Sequence, residues 1–187
     1  MTEAQVRKRI DDYRITFDRI ASLPKPTICV INGYAFGGGL ELALACDIRL
    51  VASDTKVGLT ELRLGIIPGA GGTQRLTRLI GVSRAKELIF TGAKIMGNRA
   101  AELGLANYAL PLEELGARAQ KMAEDMLFSA PVALRQAKLA IDTGTGIDLA
   151  SGLDVESLAY AVTLPTEDRV EGLQAFKERR RPNFQGK

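Results

Sequence analysis

The spacing of apolar positions divides the chain into a first half that contains strands and a second half that is helical. Apolar side chains recur at helix spacing over residues 4–22, and two prolines end that predicted helix. The nearly all-apolar run 27–31 predicts a buried strand, residues 38–46 predict a largely buried helix, and residues 47–52 predict the next strand. Strand, helix and strand at this spacing predict a βαβ unit with parallel strands.

The downstream pattern is mainly helical. Residues 72–80 and 84–91 predict two helices with a break at the glycine between them, and residues 106–110 predict one more strand. Four further helices are predicted at 112–128, 131–142, 148–163 and 166–180. The expected fold class is α/β, in a single domain by length, with strands and turns in residues 1–110 and a helical region in residues 111–187.

Composition excludes several kinds of chemistry. The chain has no histidine, so histidine-dependent triads and histidine-ligated metal sites are excluded, and acid–base chemistry must use carboxylates, lysines or tyrosines. The net charge of +3 is too small to indicate nucleic-acid binding by itself. Cys29 and Cys46 lie in apolar stretches, so we interpret them as small buried residues and not as a disulfide or a metal pair. No metal site is therefore predicted.

The chain shows no sign of membrane insertion or export. No apolar run reaches the roughly 20 residues that span a bilayer, and the N-terminal segment lacks the apolar core of a signal peptide. These features predict a protein without membrane partners or a targeting segment, located in the cytoplasm or the mitochondrial matrix.

Two glutamates beside glycine-rich turns are the candidate chemical groups. The glycines at 37–39 open a predicted helix, and they indicate either tight packing of a strand-to-helix turn or amides aimed at a developing oxyanion. Glu41 follows Gly38 by about one turn, within an apolar stretch, and its alternative role is a helix cap. Glu61 alone would be a solvated loop residue, and its interest comes from the glycine-rich loop 65–72 behind it.

The motifs that contain these residues resemble the enoyl-CoA hydratase/isomerase (crotonase) family. The resemblance is carried by residues 32–47, 58–61 and 66–76, and it extends through residues 175–180. Within the family it is closest to the methylglutaconyl-CoA hydratases that also bind AU-rich RNA, through residues 87–90 and 165–173. It implies a partial ββα spiral core in residues 1–110, followed by a C-terminal helical trimerisation region in residues 111–187.

The resemblance also implies a reaction and a set of site residues. The reaction is addition of water across the 2,3 double bond of a 2-enoyl-CoA, with 3-methylglutaconyl-CoA as a candidate substrate. The Gly38 amide would form half of the oxyanion hole, Glu41 would activate the water, and Glu61 would deliver the proton to the α-carbon, with an exchange of these two roles left open. The implied substrate-binding positions are Phe36, Gly37, Gly69, Phe176 and Arg179.

For two of these positions the composition supports another interpretation equally well. Phe176 and Arg179 match a stretch that lies near the adenine and phosphates of CoA, but a helix packing face and a solvated cation explain them as well. No separate cofactor is implied, because coenzyme A is part of the substrate.

The sequence departs from the family at its start. Family chains begin with several dozen more residues, which supply a CoA-binding segment and the second oxyanion amide, and this N-terminal part is absent here. The resemblance therefore leaves three hypotheses: a hydratase, an RNA-binding protein, and a catalytically silent structural paralogue. It also implies a homotrimer or hexamer, and the apolar residues of the helical half agree with such an assembly.

Overall fold

Nine α-helices, six short strands and one 3₁₀ helix make up the chain in the computed structural model, which describes residues 1–187. The α-helices are α1 (Glu3–Ala21), α2 (Gly38–Leu44), α3 (Gly72–Ile80), α4 (Val82–Thr91), α5 (Gly97–Glu102), α6 (Leu112–Met126), α7 (Pro131–Gly144), α8 (Leu149–Thr163) and α9 (Glu167–Glu178). The strands are β1 (Ile28–Ile31), β2 (Ala35–Phe36), β3 (Ile48–Ala52), β4 (Lys56–Gly58), β5 (Ile95–Met96) and β6 (Tyr108–Leu110), and the 3₁₀ helix is Glu61–Leu64.

The chain divides into two compact units. The first comprises Met1–Leu23 and Thr27–Ala119, and the second comprises Pro24–Pro26 and Gln120–Lys187. The first unit contains every strand and helices α1–α5, whereas α7–α9 belong to the second. The α/β class and the helical C-terminal part are therefore confirmed. The predicted division into residues 1–110 and 111–187 stays a prediction.

The first unit contains two small sheets. In the first sheet, with order β1-β3-β6, all strands are parallel, and Ile28 of β1 lies opposite Ile48 of β3. This pairing confirms the βαβ unit. In the second sheet, with order β2-β4-β5, β2 and β4 are parallel and β5 is antiparallel to β4. The sequence pattern did not predict the second sheet, because strands of two or three residues are too short to show a period.

The core of the first unit lies along the central strand β3 and the helices that follow. Leu50 and Val51 of β3 are fully buried, as is Leu40 of α2. In α3, Leu76 and Ile80 are four residues apart and both buried, which is the spacing of one helix face. Each fully buried leucine stabilises the fold by roughly 1.5–3 kcal/mol, so these residues fix the positions of the turns between the elements.

Gly97 is predicted to be a position where even a methyl group destabilises the fold. A Cβ at Gly97 would clash with the main-chain carbonyl oxygen of Ala52, while its amide donates to the oxygen of Thr55 at 2.9 Å. Neither backbone can yield easily, so we expect Gly97→Ala to cost about 1–3 kcal/mol. Thermal denaturation should show a lower melting temperature for this variant. Gly116→Ala is the control, because no atom lies within 4 Å of a Cβ there; equal melting temperatures would contradict the packing argument.

In the second unit, the C-terminal tail is fastened to helix α9. The carboxylate of Asp168 accepts from the amides of Gln185 and Gly186 at 2.6 and 2.8 Å. Arg180 donates to both carboxylate oxygens of Glu171, and this pairing lowers the pKa of Glu171 to about 2. Arg180 is therefore held in an ion pair within the chain.

No helix of the chain combines the length and apolar character of a candidate membrane span.

Candidate active site

Glu41 is buried, and the backbone of a distant loop fixes its carboxylate. The residue lies on α2 and is 4% exposed. Its Oε1 accepts two hydrogen bonds, from the amides of Ala70 and Gly72, each at 2.8 Å. Both bonds go to one oxygen, so Oε2 is left for another partner. Glu41 therefore binds the loop before α3. The sequence also allowed Glu41 to cap its own helix, but its carboxylate does not make that contact.

An ion pair from another helix orients the loop that holds Glu41. The Arg75 guanidinium on α3 donates to the carbonyl oxygen of Ala70 at 3.0 Å through Nη1 and to Asp18 Oδ1 on α1 at 2.6 Å through Nη2. Arg75 therefore fixes the carbonyl group of Ala70, in the same loop whose amides donate to Glu41. Sequence reasoning missed Asp18 and Arg75, and it singled out the loop 65–72 without predicting its bonds to Glu41, because these contacts join residues up to 57 positions apart.

Gly72 allows the close approach of this loop to the carboxylate. A Cβ at Gly72 would lie 2.9 Å from Glu41 Oε1 and 2.9 Å from Pro68 Cβ. Gly71, beside it, has φ 110°, a conformation that glycine adopts without strain. By contrast, a Cβ at Gly69 would meet Ile10 Cγ2 at 2.9 Å. Gly69 therefore packs against α1. The predicted contact of Gly69 with the substrate stays a prediction.

Glu61 is buried without a hydrogen-bond partner. It opens the 3₁₀ helix and is 9% exposed, so it is not the solvated loop residue that its sequence alone would suggest. Both carboxylate oxygens are inaccessible and accept no hydrogen bond from the protein. Burial raises the pKa of Glu61, the nearby amides of Glu61 and Thr60 offset part of that rise, and the negative charge of Glu41 adds to it. A buried carboxyl group without a partner is costly, so its presence points to a functional role.

The turn before α2 brings the glycines against Glu61. Gly37 has φ 54°, its amide donates to Gly58 O at 3.0 Å, and a Cβ on it would lie 3.3 Å from Glu61 Oε1. Gly38 is the first residue of α2, so its amide has no acceptor within the helix. A Cβ on Gly38 would meet nothing within 4 Å. The turn therefore ends in a residue whose amide is free of helix bonds and whose side-chain position is open, directly after the glycine that lies against Glu61.

An aromatic stack precedes this turn. The ring of Phe36 on β2 stacks on Tyr34, with centroids 5.6 Å apart, and the Lys94 ammonium lies 4.8 Å from the Phe36 centroid. Phe36 is half-buried, whereas Tyr34 and Lys94 are exposed. The stack gives the turn an apolar wall that carries a positive charge.

Phe176 and Arg179 lie in the second unit. Phe176 on α9 is 85% exposed, and Arg179 caps the C-terminus of that helix with φ 54°. Because its side chain is so exposed, Phe176 does not take part in the packing of its helix. The predicted contact of both residues with CoA stays a prediction.

The two cysteines differ from expectation. Cys29 and Cys46 were predicted to be buried, yet both are half-buried free thiols. The apolar stretches around them indicated burial, but β1 is an edge strand and Cys46 lies just beyond the end of α2, so neither is enclosed on all sides.

The raised pKa of Glu61 predicts a pH-dependent gain in stability for Glu61→Gln. As pH rises from the ordinary value of 4.5 to the raised pKa, the unfolded chain loses a proton that the native state keeps, so the native state loses stability. A glutamine does not titrate. We therefore expect the melting temperature of Glu61→Gln, relative to the parent, to increase through this pH window and to level off above it. Glu114→Gln, at an exposed position of α6, is the control; an unchanged difference across the window would contradict the prediction.

Comparison with known proteins identifies the family. A sequence profile described as enoyl-CoA hydratase/isomerase matches residues 2–187. The chain is 50% identical over 191 residues to human enoyl-CoA hydratase domain-containing protein 2, mitochondrial, covering 100% of this chain and 65% of that protein. It is 50% identical over 190 residues to human methylglutaconyl-CoA hydratase, mitochondrial, covering 100% of this chain and 56% of that protein. The chain thus spans about three fifths of the length of these relatives.

A solved structure agrees with this assignment. The crystal structure of an enoyl-CoA hydratase from Bacillus anthracis matches with a TM-score of 0.98 at 50% identity, covering 100% of this chain and 72% of that one. The crotonase-like α/β fold expected from the motifs is therefore confirmed, and the predicted methylglutaconyl-CoA hydratase subgroup is among the matched relatives. From its sequence and from its fold, the chain belongs to the enoyl-CoA hydratase/isomerase family.

Proposed function

We propose that the chain carries the acid–base machinery of a hydratase that adds water across the 2,3 double bond of a 2-enoyl-CoA. The observation that carries the proposal is the contrast between two buried glutamates. Two amides fix Glu41, whereas Glu61 has no partner and a raised pKa. Two carboxyl groups whose surroundings differ in this way are suited to different protonation states, as acid–base catalysis by a pair requires.

The surroundings of each group favour a particular role. Glu41, with Oε1 held, would use Oε2 to accept a proton from water while the water oxygen bonds to C3 of the enoyl group. Glu61, with its raised pKa, is suited to keep a proton and to deliver it to C2. The reaction adds one hydrogen and one hydroxyl, leaving Glu41 protonated and Glu61 ionised until a proton passes between them or through water. The two carboxyl groups influence each other electrostatically. The alternative form of the proposal therefore exchanges the roles, so that Glu61 accepts the proton from water and Glu41 delivers one to C2.

The turn at Gly38 would polarise the thioester. Addition of water to C3 places negative charge on the thioester oxygen, and an amide donor aimed at that oxygen stabilises it. The amide of Gly38 has no acceptor within its helix, and the space around a Cβ at this exposed residue is open. Phe36 and Gly37 would line the approach of the thioester.

We further propose that the substrate of the chain carries a second carboxylate group. Methylglutaconyl-CoA hydratase is the name of one relative, and its substrate would need a cation near its acyl end. Lys94 is the candidate cation, because its ammonium lies over the ring that precedes the Gly37 turn. A lower KM for 3-methylglutaconyl-CoA than for crotonyl-CoA, lost in Lys94→Met, would support this substrate.

The chain is also proposed to self-associate. Helix α8 carries exposed Asp154 and Glu156, but it also exposes five large, mainly apolar side chains: Leu149, Leu153, Leu158, Tyr160 and Val162. Several large apolar side chains exposed on one helix indicate a surface that another protein covers. A second copy of the chain is the occupant that the homotrimer or hexamer of the resemblance implies. RNA binding receives less support. Among the basic residues Lys177, Arg179, Arg180 and Arg181 at the end of the chain, Arg180 pairs with Glu171 and Arg181 lies over the ring of Phe128. The compartment stays a prediction.

The decisive experiment is a hydration assay on the purified chain. Crotonyl-CoA should lose the ultraviolet absorbance of its conjugated thioester in the presence of the chain and form 3-hydroxybutyryl-CoA. The double variant Glu41→Gln/Glu61→Gln is the matched control and should be inactive. A chain that binds crotonyl-CoA but leaves it unhydrated would overturn the proposal in favour of the silent structural paralogue.

A further inference from the structure

Helix α1 contacts the loop before α3 at two apolar points. Phe17 is the one buried residue of this helix, and it packs in one cluster with Ala70 of the loop. Ile10 lies so close to the loop that a Cβ on Gly69 would be 2.9 Å from its Cγ2. Ile10 and Phe17 are seven residues apart, which places them on the same face of the helix. The inner face of α1 therefore packs against the loop whose amides bind the buried carboxylate of Glu41.

The third contact between α1 and this part of the chain is the ion pair of Asp18 with Arg75. The Asp18 side chain is 51% exposed and that of Arg75 is 22% exposed. Arg75 also donates to the carbonyl oxygen of Ala70. That carbonyl lies in the chain between the two amides, of Ala70 and Gly72, that donate to Glu41 Oε1. A restraint on it therefore limits the rotation of both donors.

The guanidinium of Arg75 lies against loop backbone that has no side chain. Gly71 follows Ala70 with φ 110°, and a Cβ on it would clash with Arg75 Nη1. Glycine at this position therefore gives the guanidinium access to the Ala70 carbonyl. Because the other terminal nitrogen of Arg75 is bound to Asp18, the loop cannot move away from α1 without the loss of one of these two bonds.

The expected value of this ion pair is geometric. Partly exposed ion pairs contribute little to the stability of a fold, because water and salt screen them. The position of a reacting group is far more sensitive, since a displacement of about 1 Å can lower a rate by about 10²-fold. An ion pair that adds little stability can therefore still have a large effect on the reaction.

We propose that Asp18 and Arg75 position the carboxylate of Glu41, by holding the loop whose two amides fix its Oε1. Both residues act through Glu41 and are therefore positioning residues. With Oε1 held, Oε2 points in one direction, as a group that takes a proton from water requires. The consequence for hydration rests on the proposed function, whereas the hold on the loop does not.

Amide hydrogen exchange tests the positioning without any need for activity. Exchange is followed by NMR on ¹⁵N-labelled protein, after circular dichroism has confirmed the fold of each variant. In Arg75→Met, the amides of Ala70 and Gly72 should exchange faster by a factor of about 10 or more, because the carbonyl between them is no longer held. Asp18→Ala should give a smaller increase at the same two amides, since Arg75 keeps its bond to the loop.

Arg7→Met is the matched control for the exchange measurement. It removes an arginine that pairs with Glu3 on the same helix, at 3.7 Å and away from the loop. The exchange of the Ala70 and Gly72 amides should therefore stay at the parent rate in this variant. Equal exchange at both amides in the parent and in Arg75→Met would overturn the proposal. If Arg75→Met does not fold, Asp18→Ala and Arg75→Lys decide it by the same measurement.

Kinetics then test the consequence for hydration. Arg75→Met should lower kcat for crotonyl-CoA by about 10²-fold and leave KM nearly unchanged, because Arg75 acts through Glu41 and not on the thioester. Arg75→Lys should give an intermediate kcat, since one ammonium group replaces the two terminal nitrogens that hold Ala70 and Asp18. A residue that served only stability would leave kcat of the folded chain unchanged, so a parent kcat in Arg75→Met would overturn the positioning role.

The Glu41→Gln background separates positioning from a general loss of structure. There, Arg75→Met should lower the residual kcat by less than about threefold, because the group that Arg75 positions is already lost. A second loss as large as in the parent background would show that Arg75 acts in another way. A parent chain without hydration activity would instead contradict the proposed function, and the exchange of the Ala70 and Gly72 amides would then decide the positioning alone.

Discussion

Replacing Glu41 or Glu61 with glutamine is expected to lower the rate of crotonyl-CoA hydration by about 10²–10⁴-fold, which is the usual contribution of one acid–base group. Glutamine keeps the size of the side chain but can neither accept nor deliver the proton. The measurement is kcat from the loss of the enoyl-thioester absorbance, with Glu114→Gln as a surface control. If both single variants hydrate the substrate at the parent rate, the two glutamates do not carry the chemistry.

Stability measurements separate this loss of activity from a loss of structure. Glu41→Gln retains an oxygen that can accept from Ala70 and Gly72, so its melting temperature should stay near that of the parent. Glu41→Ala leaves the two buried amides without an acceptor, at about 1–3 kcal/mol for each, and should unfold at a clearly lower temperature. Glu61→Gln should not be less stable at neutral pH, because no protein hydrogen bond is lost. A catalytic residue held at a cost to stability is expected to show this pattern.

The sequence predicted the long elements well for a physical reason. Helices α1, α3 and α7–α9 repeat apolar side chains over two or more turns, so their period is visible without tertiary context. Strands β2, β4 and β5 have two or three residues each, and they form because their backbones pair with one another. The 3₁₀ helix that buries Glu61 likewise has no period to detect.

The site was predictable only in part, for a related reason. Glycine clusters and carboxylates in apolar stretches pointed to Glu41 and Gly38 directly from the chain. The contacts that orient them come from distant segments: Asp18 and Arg75 are far apart in sequence, and no local pattern joins them. The predicted burial of the cysteines was wrong for a similar reason, because β1 lies at the edge of its sheet and Cys46 lies beyond the end of α2, and neither position is visible in the local sequence.

Substitution of Gly38 by valine is expected to remove most hydration activity while leaving the fold intact. A side chain at this position meets no protein atom within 4 Å, so it can be accommodated without overpacking. The same open space is where the thioester would approach the Gly38 amide, and two methyl groups there would keep the carbonyl oxygen away from it. Because loss of one oxyanion donor costs about 10²–10³-fold in rate, we expect kcat to fall by at least that factor, with a small change in melting temperature.

Gly116→Val is the matched control for this prediction. Gly116 is also a helical glycine with no atom within 4 Å of a Cβ, but it lies on α6, outside the loop and turn that hold the two glutamates. Valine at Gly116 should therefore leave hydration unchanged. Gly38→Ala should give an intermediate rate, because one methyl group fills less of the space than two. If Gly38→Val turns over crotonyl-CoA as fast as Gly116→Val, the thioester does not bind at this turn, and the oxyanion donor must lie elsewhere.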